Sequence, residues 1–301
     1  LRWLQVELTV SGELAEPVSE LLARCGQGGV VVAPANAASF DVDPDQVLVR
    51  TYLADDDSLP TQRRAIEHGL WHLSQIQPLP EPGYRYVENQ DWSSAWKADY
   101  RPIHVGARLL IQPSWLEPEQ TDRLVVRVDP GMAFGTGTHP TTRLCLEIME
   151  TRLHAGDTMV DLGAGSGILS IAGALLGASR VIAYDISEAA VTAARANVHA
   201  NRVSSQVEVR EGSLERMLLD EDAGLVPNLI LANILAPVIE GMLGAGLADA
   251  LPAGGCLIVS GILEDQSAEV ERAAKRAGLS LVERRTRHDW CALVLKRNPS
   301  R

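Results

Sequence analysis

Residues 158–168 read TMVDLGAGSGI. Thr158–Leu162 is a strand-length run of apolar and β-branched residues closing on Asp161 and Leu162. Gly163, Gly165 and Gly167 follow at every second position, and Ile168–Leu176 continues as an apolar stretch of helical length. A short apolar run, a cluster of glycines and a longer apolar run predict strand, tight turn and helix. The same rhythm continues downstream, with a strand at Val181–Tyr184 and a helix at Ala189–Ala200. Further strands are expected at Gln206–Val209, Leu229–Ala232, Cys256–Ser260, Leu279–Glu283 and Cys291–Leu295, and helices centred on Ile239–Leu247 and Ala268–Ala277 separate three of them. Strands alternating with helices predict an α/β fold, a seven-stranded, mostly parallel Rossmann-like sheet covered on both faces. The last two strands have no helix between them and are expected to pair antiparallel.

Upstream the pattern changes. Leu4–Val10 alternates like a strand and Gly12–Arg24 repeats apolar residues at helical spacing. Strands at Gly28–Val32 and Gln46–Leu53, a helix at Thr61–Leu73 and a short strand at Tyr84–Val87 complete a βαββαβ order, with a turn-rich stretch at Pro34–Pro44. That order is that of a small ferredoxin-like α+β domain. Pro78, Pro80 and Pro82 break any helix, and Trp92, Trp96 and Trp115 punctuate a polar stretch, read as a linker with a few strands that pack onto the following domain. The expected organisation is residues 1–76 as a recognition domain, 77–128 as a linker and pre-core segment, and 129–301 as the catalytic domain.

Composition narrows the class. The 301 residues are 46% hydrophobic and 22% charged, enough apolar material for sizeable cores, and no run of about 18 apolar residues suggests a membrane span. The first residues fit a strand and not a signal peptide. Cys25, Cys145, Cys256 and Cys291 are widely spaced, without a CxxC pair, as expected of reduced thiols in a cytoplasmic protein. The formal net charge of −12 opposes direct nucleic-acid binding and suits a basic protein partner. Residues 1–85 hold six basic and twelve acidic side chains, half of that charge.

Three segments carry the chemistry. In Asp161–Gly167 the glycines let the backbone turn sharply and approach a ligand, at the carboxyl end of a strand where doubly wound sheets bind their ligands. The next strand ends in Asp185, 22 residues after Gly163, placed to accept both ribose hydroxyls of a nucleoside. A dinucleotide-binding GxGxxG would need glycine at Ile168 or Ser170. GxGxG behind a leading acid is typical of S-adenosylmethionine-dependent methyltransferases, and a nucleotide-dependent oxidoreductase is the weaker alternative. The second segment, DPGMAFGTGTHPTT at 129–142, is not followed by GK[ST], so ATP binding is unsupported. Pro140 suits the first turn of a helix through Leu144 and Ile148. The loop's backbone amides, with its threonine hydroxyls, could hold the methionine carboxylate of the cofactor. Phe134, Gly135, Thr136, Thr138 and Thr142 are candidates for that contact, and His139 is a candidate for proton removal. The third segment is Asn233-Ile234-Leu235-Ala236, directly after the strand Leu229–Ala232. There the Asn233 side-chain oxygen and the Ile234 carbonyl could accept hydrogens from a substrate amine; the competing reading is that Asn233 caps the helix starting near Pro237.

Two other patterns lack what a metal site needs. His68 and His72 have i,i+4 spacing but enclose Gly69, Leu70 and Trp71 and no glutamate. Asp55, Asp56 and Asp57 lack the glycine of a calcium loop.

Taken together, in this order, the segments resemble the PrmA family of ribosomal protein methyltransferases. DPGMAFGTGTHPTT is the most specific part; SGIL at 166–169, NILA at 233–236 and the tryptophan-rich Asp91–Tyr100 match as well. The resemblance implies a small N-terminal domain that grips a basic protein of the large ribosomal subunit, a linker, and a seven-stranded methyltransferase domain acting on amino groups. It places cofactor contacts on Thr142, Gly163, Asp185 and Asn233, with Gly165 and Gly167 in the same loop. Ala164 stands where some members have cysteine. An inactive, ribosome-bound scaffold is the alternative from another class.

Overall fold

The computed structural model describes residues 2–25, 30–34, 46–75, 77–88, 101–117, 120–129, 137, 139–219 and 226–299. The chain divides into two compact units, Leu1–Tyr100 and Arg101–Arg301. The turn-rich Pro34–Pro44 stretch (except Pro34), Trp92 and Trp96 lie outside the described residues, as do Phe134, Gly135, Thr136 and Thr138.

In the first unit, β1 (Arg2–Ser11) alternates Leu4, Val6, Leu8 and Val10 into a core while Glu7 and Thr9 stay half-exposed. α1 (Gly12–Cys25) adds Leu14, Val18 and Leu22, one face of a helix at i, i+4, i+8. β2 (Val30–Pro34) and β3 (Gln46–Ala54) follow, then α2 (Leu59–Ser74), which buries Ile66 and Leu70 in the same cluster, and β4 (Gly83–Glu88). The sheet order β2-β3-β1-β4, with every pair antiparallel, is that of the ferredoxin-like split βαβ sandwich. Its last strand lies beyond residue 76, so the sheet is complete only at Glu88.

The second unit opens with a three-stranded sheet, β5 (Ile103–Val105), β6 (Leu109–Pro113) and β7 (Leu124–Val128), in that order. The β5–β6 turn is held from two sides. The Glu150 carboxylate accepts the backbone N–H groups of Ala107, Arg108 and Leu109, and Arg123 donates to the carbonyls of Gly106 and Leu109. After α3 (Pro140–Arg152) comes the main sheet: β8 (Thr158–Leu162), α4 (Ile168–Leu176), β9 (Arg180–Asp185), α5 (Glu188–Ala200), β10 (Val207–Glu211), α6 (Leu214–Leu219), β11 (Leu229–Asn233), α7 (Ala236–Gly244), β12 (Cys256–Leu263), α8 (Ser267–Arg276), β13 (Leu279–Arg287) and β14 (Trp290–Arg297).

The strand order is β10-β9-β8-β11-β12-β14-β13, with β14 antiparallel to both neighbours and the first five strands parallel. Because the central strands are covered on both sides, successive residues enter different cores. Met159, Val181 and Leu231 pack with α3, α4 and α5, whereas Val160, Ile182 and Ile230 pack with α7 and α8. Val105, Leu109, Ile111 and Val126 of the small sheet join the first of these clusters. β12 runs past the expected Ser260 to Leu263, and its register against β14 shifts between Val259 and Ile262. This bulge turns Gly261 toward the end of β11.

Candidate active site

The chain reverses its direction of spread across the sheet between β8 and β11, so the crevice at their carboxyl ends is where an open α/β sheet binds ligands. The register pairs Leu162 with Tyr184 on one side and with Ala232 on the other. The next residues, Asp185, Gly163 and Asn233, therefore stand in one row across three neighbouring strands. At the usual strand spacing that row is roughly 10 Å wide, the span of a nucleoside with a short side chain.

The glycine loop is held from below and behind. Gly163 N–H and Ala164 N–H both donate to the Tyr184 carbonyl, at 2.8 and 3.0 Å. Gly165 N–H donates to Asp185 Oδ2 at 2.8 Å, and Ser187 N–H to Asp185 Oδ1 at 2.9 Å. Asp185 is thus fixed before any ligand arrives. Gly163, Gly165 and Gly167 have φ of +77, +54 and +78°. At Gly163 a Cβ would stand 2.5 Å from Ile234 Cγ2, so this position excludes a side chain by space as well as by conformation. Asp161 beneath the loop is fully buried; its Oδ2 accepts the Ser170 hydroxyl at 2.5 Å, and Oδ1 has no partner among the described residues. Burial pushes its pKa up to about 6, with the Ser170 bond pulling the other way.

On the far side of β8, Ile234 N–H donates to the Ser260 carbonyl at 3.1 Å. A Cβ on Gly261, which has φ +82°, would collide with the Ile234 backbone carbonyl. Ile234 is therefore wedged between two glycines of adjacent strands, with Asn233 half-exposed beside it. The helix α7 begins with Leu235 in the N-cap position and without a side-chain cap, so Asn233 does not cap it.

The described part of the second loop arrives at the same place. A Cβ on Gly137 would lie 2.9 Å from Ile111 Cγ2 and 3.1 Å from Ile168 Cδ1, the side chain that opens α4. His139 caps α3: its Nδ1 lies 2.7 Å from Thr141 Oγ1 and accepts from Thr141 N–H at 3.4 Å, while its ring meets Trp290 edge-on at 4.9 Å. Burial pushes the imidazole down to about 4. Thr142 is 1% exposed and its hydroxyl has no partner among the described residues. A buried, unsatisfied hydroxyl costs free energy unless something pairs with it.

A turn built of positive-φ glycines, a buried hydroxyl with no partner among the described residues and a preset carboxylate suit a nucleoside carrying an amino-acid tail. Sequence reasoning missed Ser260 and Gly261, hidden in an unremarkable β-strand, and Ser170, one turn into α4. It also missed Asn197 and Asn201, whose side-chain amides bond the backbone of Asp129, Ser166 and Arg127 and whose i,i+4 spacing was the available signal. Among the described residues no group of three potential metal ligands forms and no helix is long and apolar enough to cross a membrane. His68 and His72 stack edge to face at 4.4 Å on α2.

The sequence profile of the family described as ribosomal protein L11 methyltransferase (PrmA) matches residues 2–298. The chain belongs to that family. A ribosomal protein L11 methyltransferase from Chloroflexus aurantiacus is 43% identical, with 98% of each chain covered. One from Listeria monocytogenes is 34% identical, with 99% of each covered. The crystal structure of ribosomal protein L11 methylase from Lactobacillus delbrueckii subsp. bulgaricus is similar over 66% of this chain and all of that one, at 34% identity and a TM-score of 0.60.

Proposed function

We propose that this protein methylates amino groups of ribosomal protein L11, lysine side chains and the N-terminal amine, using S-adenosylmethionine as the donor. The row Asp185–Gly163–Asn233 carries this reading, because it sets a carboxylate suited to a nucleoside and an amide suited to an amine on either side of a glycine. Asp185 would hold the ribose hydroxyls. Gly163, Gly165 and Gly167 would let the backbone approach the cofactor, and Thr142 would hold its amino-acid end together with Phe134, Gly135, Thr136 and Thr138. When bound, S-adenosylmethionine supplies an electrophilic methyl group on a cationic sulfur.

Asn233 Oδ1 and the Ile234 carbonyl would accept the two amine hydrogens, leaving the lone pair aimed along the line of transfer; orientation of this kind is the main requirement of a direct displacement. The amine must first be neutral. For lysine at neutral pH that costs roughly 4.6 kcal/mol, lowered by desolvation and by nearby positive charge. His139 as the acceptor of that proton is a weak base, since transfer from an unperturbed lysine to a group near 4 would cost about 9 kcal/mol. We assign it instead to holding Thr141 and the start of α3, the proton leaving to solvent before the amine docks.

The acidic balance of residues 1–85 suits selection of a basic ribosomal protein by the N-terminal unit and disfavours direct nucleic-acid contact. A ribosomal substrate and reduced cysteines accord with a cytoplasmic site of action. The test is mass spectrometry of purified ribosomal protein L11 after incubation with this protein and S-adenosylmethionine. Increments of one methyl group on lysines or the N-terminus are expected; an unmodified substrate beside bound cofactor would leave the scaffold reading.

A further inference from the structure

β7 lies at the margin of its three-stranded sheet and, among the described residues, pairs with β6 alone. Its outer edge is satisfied at Arg127 all the same. Arg127 N–H donates to Asn201 Oδ1 at 2.8 Å, and the Arg127 carbonyl accepts from Asn201 Nδ2 at 2.5 Å. One side-chain amide thus replaces a neighbouring strand, giving Arg127 the pair of bonds a peptide group would give. One turn earlier on α5, Asn197 bridges two different segments. Its Oδ1 accepts from Asp129 N–H at 3.1 Å and its Nδ2 donates to the Ser166 carbonyl at 2.9 Å. Asn197 is 4% exposed, and its own carbonyl accepts a further bond from Asn201 Nδ2 at 2.7 Å.

Asp129 begins the segment that ends at His139, and Ser166 lies inside the Gly163–Gly167 loop. One buried amide therefore ties Asp129, at the start of one glycine-rich segment, to Ser166 inside the other, and Gly137 of the first segment packs on Ile168. Few residues can do this. Aspartate has no donor for Ser166, alanine removes the bonds to both backbone groups, and glutamine adds a methylene where almost no surface is free. Asparagine is a poor helix former, so Asn197 has no intrinsic place inside α5, while Asn201 stands at its C-cap.

We propose that Asn197, seconded by Asn201, is a positioning residue for methyl transfer: it sets the spacing of the two loops and so governs cofactor affinity without touching cofactor or amine. This rests on reading both loops as the S-adenosylmethionine site. A residue that merely fastens α5 to the small sheet would affect stability alone, and Glu150→Gln supplies that comparison, since Glu150 ties three backbone N–H groups of the same sheet away from the loops.

The experiment measures melting temperature, S-adenosylhomocysteine affinity by calorimetry, and steady-state kinetics on ribosomal protein L11 for the full chain. Asn197→Ala and Asn197→Asp are expected to weaken S-adenosylhomocysteine binding about tenfold or more, the effect of losing one or two hydrogen bonds that hold the loop. The KM for S-adenosylmethionine should rise in parallel, with kcat at saturating cofactor within about threefold and the KM for the protein substrate unchanged. Glu150→Gln should lower the melting temperature and leave cofactor affinity alone. If Asn197→Ala does not fold, Asn197→Asp and Asn201→Asp carry the same criteria. Variants at Asn197 that melt earlier yet bind like the parent overturn the proposal. A parent protein that does not bind S-adenosylhomocysteine overturns the reading of the site, before any variant is compared.

Discussion

Asp161→Asn asks whether the glycine loop is built over a carboxylate that resists ionisation. The side chain is fully buried, one oxygen accepts the Ser170 hydroxyl and the other has no partner among the described residues. Burial raises its pKa from 3.8 to about 6. Two units at about 1.4 kcal/mol each amount to about 3 kcal/mol. The folded state holds this proton more tightly than the unfolded chain, so the contribution is fully present below pH 4 and is lost as pH rises through 6. Asparagine cannot ionise. The stability of Asp161→Asn relative to the parent should therefore climb by about 3 kcal/mol between pH 4 and pH 7. Its offset depends on the new Nδ2, buried where no acceptor waits, a cost of about 1–3 kcal/mol. The slope is consequently the quantity to read.

His139 works in the opposite sense. Its folded pKa lies near 4 against 6.5, so the unfolded chain takes up the proton first and stability falls as pH drops through that window. This is worth at most about 3 kcal/mol, and less because the ring is partly exposed. In the parent the two effects nearly offset each other; the Asp161→Asn protein should show the histidine's acid sensitivity uncovered. Urea unfolding of both proteins without ligand, at intervals from pH 4 to 8, yields the difference curve, in which groups common to both cancel. A difference independent of pH would refute the reasoning, because Asp161 would then ionise as readily folded as unfolded.

Asp185→Ala should weaken S-adenosylhomocysteine binding by about 2–3 kcal/mol, through lost charge-assisted bonds and the release of Gly165 and Ser187; unchanged calorimetric affinity would remove Asp185 from the site. Asn233→Ala should lower kcat on ribosomal protein L11 by about a hundredfold or more with little change in cofactor affinity, and near-normal turnover would show that its amide does not meet the amine. Gly261→Ala adds a Cβ against the Ile234 carbonyl and should cut turnover about tenfold or more, though Gly261 touches neither ligand in the proposed arrangement; full activity would exclude that carbonyl from aiming the amine. Residues 101–301 alone should bind S-adenosylhomocysteine and lose most transfer to ribosomal protein L11, and full transfer by this fragment would take substrate selection away from the first unit.

The main sheet was legible because its strands are buried on both faces. Thr158–Leu162 and Leu229–Ala232 can only be apolar runs of strand length, and the glycines and Asn233 mark where each ends. β1 was equally plain, since a sheet with one solvated face alternates. The three-stranded sheet was legible only as a few strands packed onto the following domain, because β5 has three residues and the edge of β7 is met at Arg127 by the Asn201 side chain and not by a further strand. Asn233 could be recognised and still be confused with a helix cap. Only the backbone distinguishes the two roles, by placing Leu235 at the N-cap. His139 was visible as a polar residue beside threonines, but its burial against Trp290, 151 positions later in the chain, decides that it is a weak base.

In the proposed arrangement Ile234 couples the cofactor and amine sites. Its side chain fills the space left by Gly163 on β8, and its carbonyl occupies the space left by Gly261 on β12. β11 lies between those strands, so the loop at its end is located by contacts on both sides and by the Ser260 carbonyl that accepts from Ile234 N–H. Close-packed contacts of this kind transmit displacement and do not absorb it. A side chain added at Gly163 moves Ile234, and with it the carbonyl proposed to accept from the amine, while also straining a loop with φ +77°. Such a variant would lose cofactor binding and turnover together. Asn233→Ala removes atoms without moving the wedge, so it is the substitution that separates aiming the amine from holding the donor.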